Sequence, residues 1–370
     1  MEYFVTKYDV SCQNSADCVV LDDSIMVKGS LATAGSKMLE NFISPIDATV
    51  VSKLADAGVP IAGKTVMDEF GASGIFLEQG VCATKRAVIS GQQATVSGAV
   101  SAVANGDVPF ALCNDYTGAV SLEAAEQGLY YIHPTYGTVS RYGLIPAVAS
   151  MDQIGVVCKS IRDGERLLSI IAGYDEKDGV MSPTGKPNPQ KRDNLRIGVP
   201  DNLSTESRNA LEIAGLSNGF ELVYFELEYF DIYNQIMQIL CCAELSNNIS
   251  RYDGIKFGYR TKEYSGLQEL YTKSRTEGFG FDTKLSATIG AMVLSHDHYT
   301  KSYDKAMRTR RMIKSSLDFK KYEAIVVPTP CLARLCGLPA ITMPHKDNAL
   351  TLIAAAGNED ILMTIVGSGK

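Results

Sequence analysis

The sequence predicts an α/β fold, because apolar strand patterns alternate with helical patterns along most of its 370 residues. Predicted helices and strands follow one another most closely between residues 91 and 143. This stretch contains a small-residue helix at 94–104, an apolar strand at 108–113, a turn at 114–118 and a strand at 129–132. Apolar residues make up 45% of the chain, which is enough to bury a substantial core.

The N-terminal part adds shorter elements. Residues 24–28 are strand-like, and 47–57 have the spacing of a helix that Asp47 caps and Gly58 ends. Residues 58–65, GVPIAGKT, match the phosphate-binding pattern G-x-x-x-x-G-K-[ST]. A helix precedes this motif, however, and the residues between its glycines are apolar and include a proline. They therefore predict a buried strand at 59–62, not a nucleotide site.

The C-terminal part continues the alternation. Strands are expected at 153–158, 195–200, 222–225, 322–328, 352–356 and 361–367, and helices at 160–173, 204–215, 229–245 and, as one or two helices, within 286–317. The polar, proline-rich stretch 174–194 predicts a surface connection inside a single domain that covers 1–370.

Composition excludes several functional classes. The 35 basic and 42 acidic residues give a net charge of −7, so we expect no direct binding of nucleic acid. No apolar run predicts a membrane span and no secretory signal is present, which predicts a cytoplasmic protein. The nine cysteines lack the spacing of a metal or disulfide framework. We therefore expect buried free thiols, no metal and no cofactor.

One long motif resembles a known family. Residues 133–144, HPTYGTVSRYGL, resemble the core of the amidase signature enzymes, and further matches keep family order at 36–42 (SKMLENF), 67–70 (MDEF) and 337–340 (GLPA). The resemblance implies the amidase signature fold, a mixed central β-sheet flanked by helices on both faces, truncated at both ends. It is strongest to the glutamine-hydrolysing A-type subunits of aspartyl/glutamyl-tRNA amidotransferases, which implies B- and C-type subunits as partners.

The resemblance also implies a catalytic triad, in which a Lys deprotonates a Ser on a cis peptide and that Ser activates a nucleophilic Ser. A neutral Lys requires burial, which lowers its pKa. Counting back from Pro134 puts Ala119 at the nucleophile position and Thr95 at the relay position, and Lys28 is the best match to the base. Thr117 and Gly118, just before Ala119, fall on the substrate-binding loop.

Arg310 matches a family Arg that could hold a substrate carboxylate through a bidentate pair. A solvated helix face explains the same residue equally well, and both interpretations stay open.

Two hypotheses about activity follow. A methyl group at Ala119 cannot attack a carbonyl, and treating Tyr116 as an insertion moves the nucleophile position only to the equally inert Val120. The chain is therefore expected to be a catalytically impaired paralogue with a binding or regulatory role. The alternative is an active amide hydrolase or amidotransferase subunit that uses Thr95 or Ser121 as nucleophile and Lys28 as base.

Overall fold

The computed structural model of the chain describes residues 3–10, 18–79, 97–181, 195–201, 220–327, 329–345 and 348–368. Eleven strands of these residues form one sheet in the order β1-β3-β2-β4-β6-β5-β10-β11-β9-β7-β8. The strands are β1 Phe4–Lys7, β2 Val19–Asp22, β3 Ile61–Thr65, β4 Phe110–Asn114, β5 Tyr130–His133, β6 Ile154–Cys158, β7 Arg196–Pro200, β8 Glu221–Phe225, β9 Ala324–Val327, β10 Ala340–His345 and β11 Asn348–Ala354.

The sheet mixes both strand directions. β2 pairs in parallel with β3 and β4, and β7 pairs in parallel with β8 and β9. The strands between these two groups, from β6 to β11, pair antiparallel with their neighbours. The mixed central sheet predicted from the sequence is confirmed.

Helices cover both faces of the sheet. The helices are α1 Thr49–Asp56, α2 Gly98–Ala104, α3 Ala119–Glu126, α4 Ile161–Ile171, α5 Tyr233–Ile249, α6 Leu267–Gly278, α7 Phe281–Leu294, α8 Lys305–Ser316, α9 Cys331–Cys336 and α10 Glu359–Ser368. Since alternate residues of a strand point to opposite sides, one strand contributes side chains to the cores on both faces. On β2, Val19 and Leu21 join a core with helices α1, α4 and α10, whereas Val20 packs against α2. A further core joins β9 to helices α5 and α9.

Three local expectations are wrong. The first strand of this region is β2 at Val19–Asp22, and 24–28 forms only an isolated bridge at Ile25. Residues 361–367 lie in helix α10, not in a strand. Asp47 does not cap α1, because its Oδ1 accepts the backbone N–H of Lys28 at 2.8 Å and Ala48 is the N-cap. The helix expected at 204–215 lies outside the described residues.

Six of the seven cysteines in the described residues follow the expectation. Free, buried thiols occur at Cys113, Cys158, Cys241, Cys242, Cys331 and Cys336. Cys18 is disulfide-bonded, which the expectation of free thiols did not foresee. Among the described helices, none is both long and apolar enough to cross a membrane.

Candidate active site

The loop between β4 and α3 leads to Ala119, the residue that the resemblance aligns with the family nucleophile. Gly118 turns the chain into α3 with φ 96°, in the left-handed region that favours glycine. The Asp115 carboxylate closes the loop: its Oδ1 accepts the N–H of Gly118 at 2.8 Å, and its Oδ2 accepts the N–H of Ser121 at 3.0 Å. This loop is therefore fixed from inside by one buried carboxylate.

Ala119 is the first residue of α3 and is 6% exposed. The segment Glu69–Gln79 lies directly over it, because a Cβ added to Gly74 would be 2.3 Å from Thr117 Oγ1 and 3.1 Å from Ala119 Cβ. On the other side, a Cβ on Gly118 would be 2.5 Å from Pro330 Cγ. Neighbouring residues therefore cover the methyl group of Ala119 closely.

Ser121, the alternative nucleophile, supports the loop from within. Its side chain is fully buried, and its Oγ donates to the carbonyl of Gly118 at 2.7 Å. The same oxygen accepts from Arg334 Nη2 at 3.1 Å. The only proton of this hydroxyl is thus already engaged with the backbone.

Arg334, on α9, is the residue of this site that the sequence reasoning missed. Its guanidinium is fully buried and pairs with Asp115 Oδ2 at 2.8 Å. It also donates to the carbonyls of Asp115 at 3.3 Å and of Pro330 at 3.2 Å. A single charged residue inside the apolar run CLARLC was the signal that could have found it, because arginine is rarely buried unless it is paired.

Lys28 does not have the burial that the resemblance requires of a base. Its side chain is exposed, and its backbone N–H donates to Asp47. It lies six residues after the end of β2. The structure therefore gives Lys28 none of the desolvation that activates a lysine as a base.

Asp22 occupies the strand end beside the loop instead. β2 and β4 run parallel with Leu21 opposite Leu112, and Asp22 Oδ2 accepts the N–H of Asn114 at 2.6 Å. Its Oδ1 accepts from the N–H of Ser24 at 3.0 Å and also from the Ser24 hydroxyl. Burial raises the pKa of Asp22 to about 6, although these hydrogen bonds oppose the rise.

Lys64 is a lysine that the fold does bury. Its Nζ pairs with Asp23 Oδ1 at 2.8 Å and donates to the carbonyls of Leu31 at 2.5 Å and Asp23 at 3.3 Å. Burial lowers the pKa of Lys64, whereas the Asp23 carboxylate opposes that change. Lys64 and Thr65 end strand β3, so residues 61–65 of the P-loop-like motif are part of the sheet, and the strand expected at 59–62 is found at 61–65.

Arg310, on α8, links elements of the fold. Its Nε donates to the carbonyl of Leu335 at 2.6 Å, and its two Nη atoms donate to the Oγ and carbonyl of Ser150 at 2.9 and 3.1 Å. Ser150 in turn donates its N–H to Glu244 at 2.8 Å. Arg310 thus donates from three nitrogens to oxygen atoms of the protein. These contacts are neither those of a substrate carboxylate nor those of a solvated helix face.

Thr95 lies outside the described residues. Two positions further on, Ser97 is the N-cap of α2, and its Oγ lies 3.9 Å from Cys113 Sγ. Among the residues that the structure describes, no group of three or more His, Cys, Asp or Glu side chains is arranged to hold a metal.

The chain is similar to known proteins over most of its length. A family model described as Amidase matches residues 18–367. The A-type subunit of the glutamyl-tRNA(Gln) amidotransferase of Lachnoclostridium phytofermentans is 37% identical over 369 residues, covering 88% of this chain and 74% of that protein. The subunit of the same name from Agathobacter rectalis is 38% identical over 338 residues, covering 84% of this chain and 65% of that protein.

A solved structure extends the similarity to three dimensions. The crystal structure of the A-type glutamyl-tRNA(Gln) amidotransferase subunit from Thermotoga maritima has a TM-score of 0.73 and 25% sequence identity, covering 98% of this chain and 86% of that one. The family match spans nearly the whole sequence, and the curated relatives agree with it. The chain therefore belongs to the amidase signature family.

Proposed function

We propose that this chain is a catalytically impaired relative of the A-type amidotransferase subunits that keeps the amidase fold for a binding or regulatory role. The observation that carries the proposal is Ala119, a methyl group at the first position of α3, where the resemblance requires a nucleophilic hydroxyl. Loss of such a nucleophile typically lowers turnover by about 10⁶, which is roughly 8 kcal/mol of barrier.

The surroundings of Ala119 support the same proposal. Gly74 and Pro330 pack on the loop from two sides, which leaves little room for a carbonyl to approach the end of α3. The hydroxyl of Ser121 donates to Gly118, and the side chain of Lys28 is exposed. An active site that used Ser121 with Lys28 would have to dismantle the Asp115 loop and bury an exposed ammonium group.

The proposed binding role requires partner proteins. The relatives are named as subunits of an amidotransferase, which supports a place for this chain in an assembly. We propose B- and C-type amidotransferase subunits as its partners and the cytoplasm as its location. The six buried free thiols favour a reducing compartment, whereas the disulfide at Cys18 does not.

A glutaminase assay tests the proposal. Ammonia release from glutamine is measured for the full chain alone and with B- and C-type subunits, beside its Ser121→Ala and Thr95→Ala variants. We expect release at the buffer rate in every case. Release well above buffer that Thr95→Ala or Ser121→Ala abolishes would establish the active alternative and reject the impaired one.

Co-purification tests the binding role separately. The tagged chain is expressed with B- and C-type subunits and recovered by affinity and size-exclusion chromatography. We expect a stable complex with at least one of them. Recovery as a lone monomer would contradict the binding role without bearing on the assay.

A further inference from the structure

The outward side of α8 and of the turn before it carries a row of cations, which we name the α8 basic face. It consists of Lys301, Lys305, Arg308, Arg311 and Lys314, all of them exposed. Each cation follows the previous one by three or four residues, so they share one side of the helix. Ala306 and Ile313 are buried on the opposite side, which fixes the direction in which the cations point.

The charge of this region contrasts with that of the rest of the chain. Residues 300–321 contain eight basic and two acidic residues, a net charge of +6 in a chain whose total is −7. The remaining residues therefore carry −13. Such asymmetry is typical of a surface that meets a polyanion, and the average over the whole chain conceals it.

Most of these cations lack an anionic partner. Arg308 pairs with Asp304 at 2.8 Å, but Lys305, Arg311 and Lys314 have no carboxylate partner among the described residues. Like charges one helical turn apart repel each other and destabilise the helix. The like charges of Arg311 and Lys314, which lie one turn apart, therefore cost stability that a bound anion would restore.

The spacing suits a phosphate backbone. From Lys301 to Lys314 the row extends about 20 Å at a rise of about 1.5 Å per residue, with one cation about every 5 Å. Nucleic-acid strands present a comparably regular row of negative charges. A stable protein interface instead needs an apolar centre, and Met307 and Met312 are the only large apolar residues exposed on this described helix.

We propose that the α8 basic face binds the phosphate backbone of RNA without reading its sequence. The contact is electrostatic, since the lysines and arginines offer donors that match phosphate oxygens. Such binding differs from the expectation that the chain does not bind nucleic acid directly, which was based on net charge alone. The proposal is independent of whether glutamine is hydrolysed.

Fluorescence anisotropy with a labelled, in vitro transcribed transfer RNA tests the proposal on the full chain between 50 and 200 mM KCl. The test variant is Lys305→Glu/Arg311→Glu/Lys314→Glu, which spares the ion pair of Arg308 and the internal contacts of Arg310. The matched control is Lys159→Glu/Lys256→Glu/Lys262→Glu, which changes net charge equally at exposed sites elsewhere. Circular dichroism and thermal unfolding establish that each variant is folded.

We expect the test variant to weaken binding at least about tenfold and to reduce the slope of log K against log salt by about 2 to 3. The control should stay within about threefold of the natural protein. Absence of RNA binding at 50 mM KCl, or equal weakening by the control, would overturn the proposal. Competition by polyglutamate as strong as that by unlabelled RNA would overturn it in favour of an acidic protein partner.

Discussion

Packing and hydrogen bonds fix the residues around Ala119 at the start of α3. The methyl group of Ala119 packs under Gly74, and the hydroxyl of Ser121 supports the loop. Arg334 brings a guanidinium to Asp115 from α9. Asp115 therefore holds the loop at Gly118 and Ser121 and is itself paired with Arg334.

Replacement of Arg334 by Met should destabilise the fold by roughly 3–5 kcal/mol, because it leaves the buried Asp115 carboxylate without its partner. Urea unfolding of Arg334→Met measures this. The double variant Arg334→Met/Asp115→Asn should recover part of the loss, since it removes the uncompensated charge. Arg308→Met breaks an exposed pair and should cost less than about 1 kcal/mol; a similarly small loss at Arg334 would contradict the role assigned to it.

The buried Asp22 predicts a pH dependence of stability. Its pKa is about 6 in the fold and 3.8 without the fold, so the folded state binds more protons between these values. The contribution to the free energy of unfolding is full below pH 3.8 and is lost as pH rises through about 6, on the order of 2–3 kcal/mol. Asp22→Asn should flatten this fall between pH 4 and 7 in urea titrations. An unchanged slope in the variant would show that Asp22 is not its source.

The burial of individual side chains near the end of β2 could not be predicted from the sequence. By sequence, Lys28 was the best match to the base that the resemblance implies. Burial and strand register, which place Asp22 beside Asn114, depend on long-range pairing between β2 and β4. The apolar run CVVL before Asp22 was the available signal for that strand.

At the scale of elements, local periodicity predicted most strands and helices. The strand at 153–158, the helix at 160–173 and the strand at 195–200 agree with β6, α4 and β7. Residues 361–367 were wrong because a short apolar run fits either structure. Its apolar residues at 361, 362, 365 and 366 recur with helical spacing, and they bury one face of α10.

The contact between the segment Glu69–Gln79 and the β4–α3 loop predicts a steric effect. Gly74→Ala would push a methyl group to 2.3 Å from Thr117 Oγ1, so we expect a loss of about 1–3 kcal/mol in the free energy of unfolding. Gly179→Ala is the matched control, because nothing lies within 4 Å of its added Cβ, and it should be nearly neutral. Equal effects of the two variants in urea unfolding would show that the segment does not press on the site.

At the scale of the whole molecule, the order of the motifs predicted the fold better than any single element did. Matches from 36–42 to 337–340 keep family order, and the mixed sheet with helices on both faces follows that expectation. Net charge was a poorer guide to the distribution of charge, because the total of −7 averages a basic helix with an acidic remainder. The motifs alone were enough to identify the family, whereas the packing around Ala119 could be known only from three-dimensional contacts.

Covalent trapping most directly tests the proposal that this chain lacks a catalytic nucleophile. The full chain is incubated with an electrophilic diazoketone analogue of glutamine, beside a glutamine-hydrolysing amidase family member as positive control, and intact mass and peptide mapping follow. We predict no adduct on this chain while the control is labelled. A stoichiometric adduct on the hydroxyl of Thr95 or Ser121 would contradict the account.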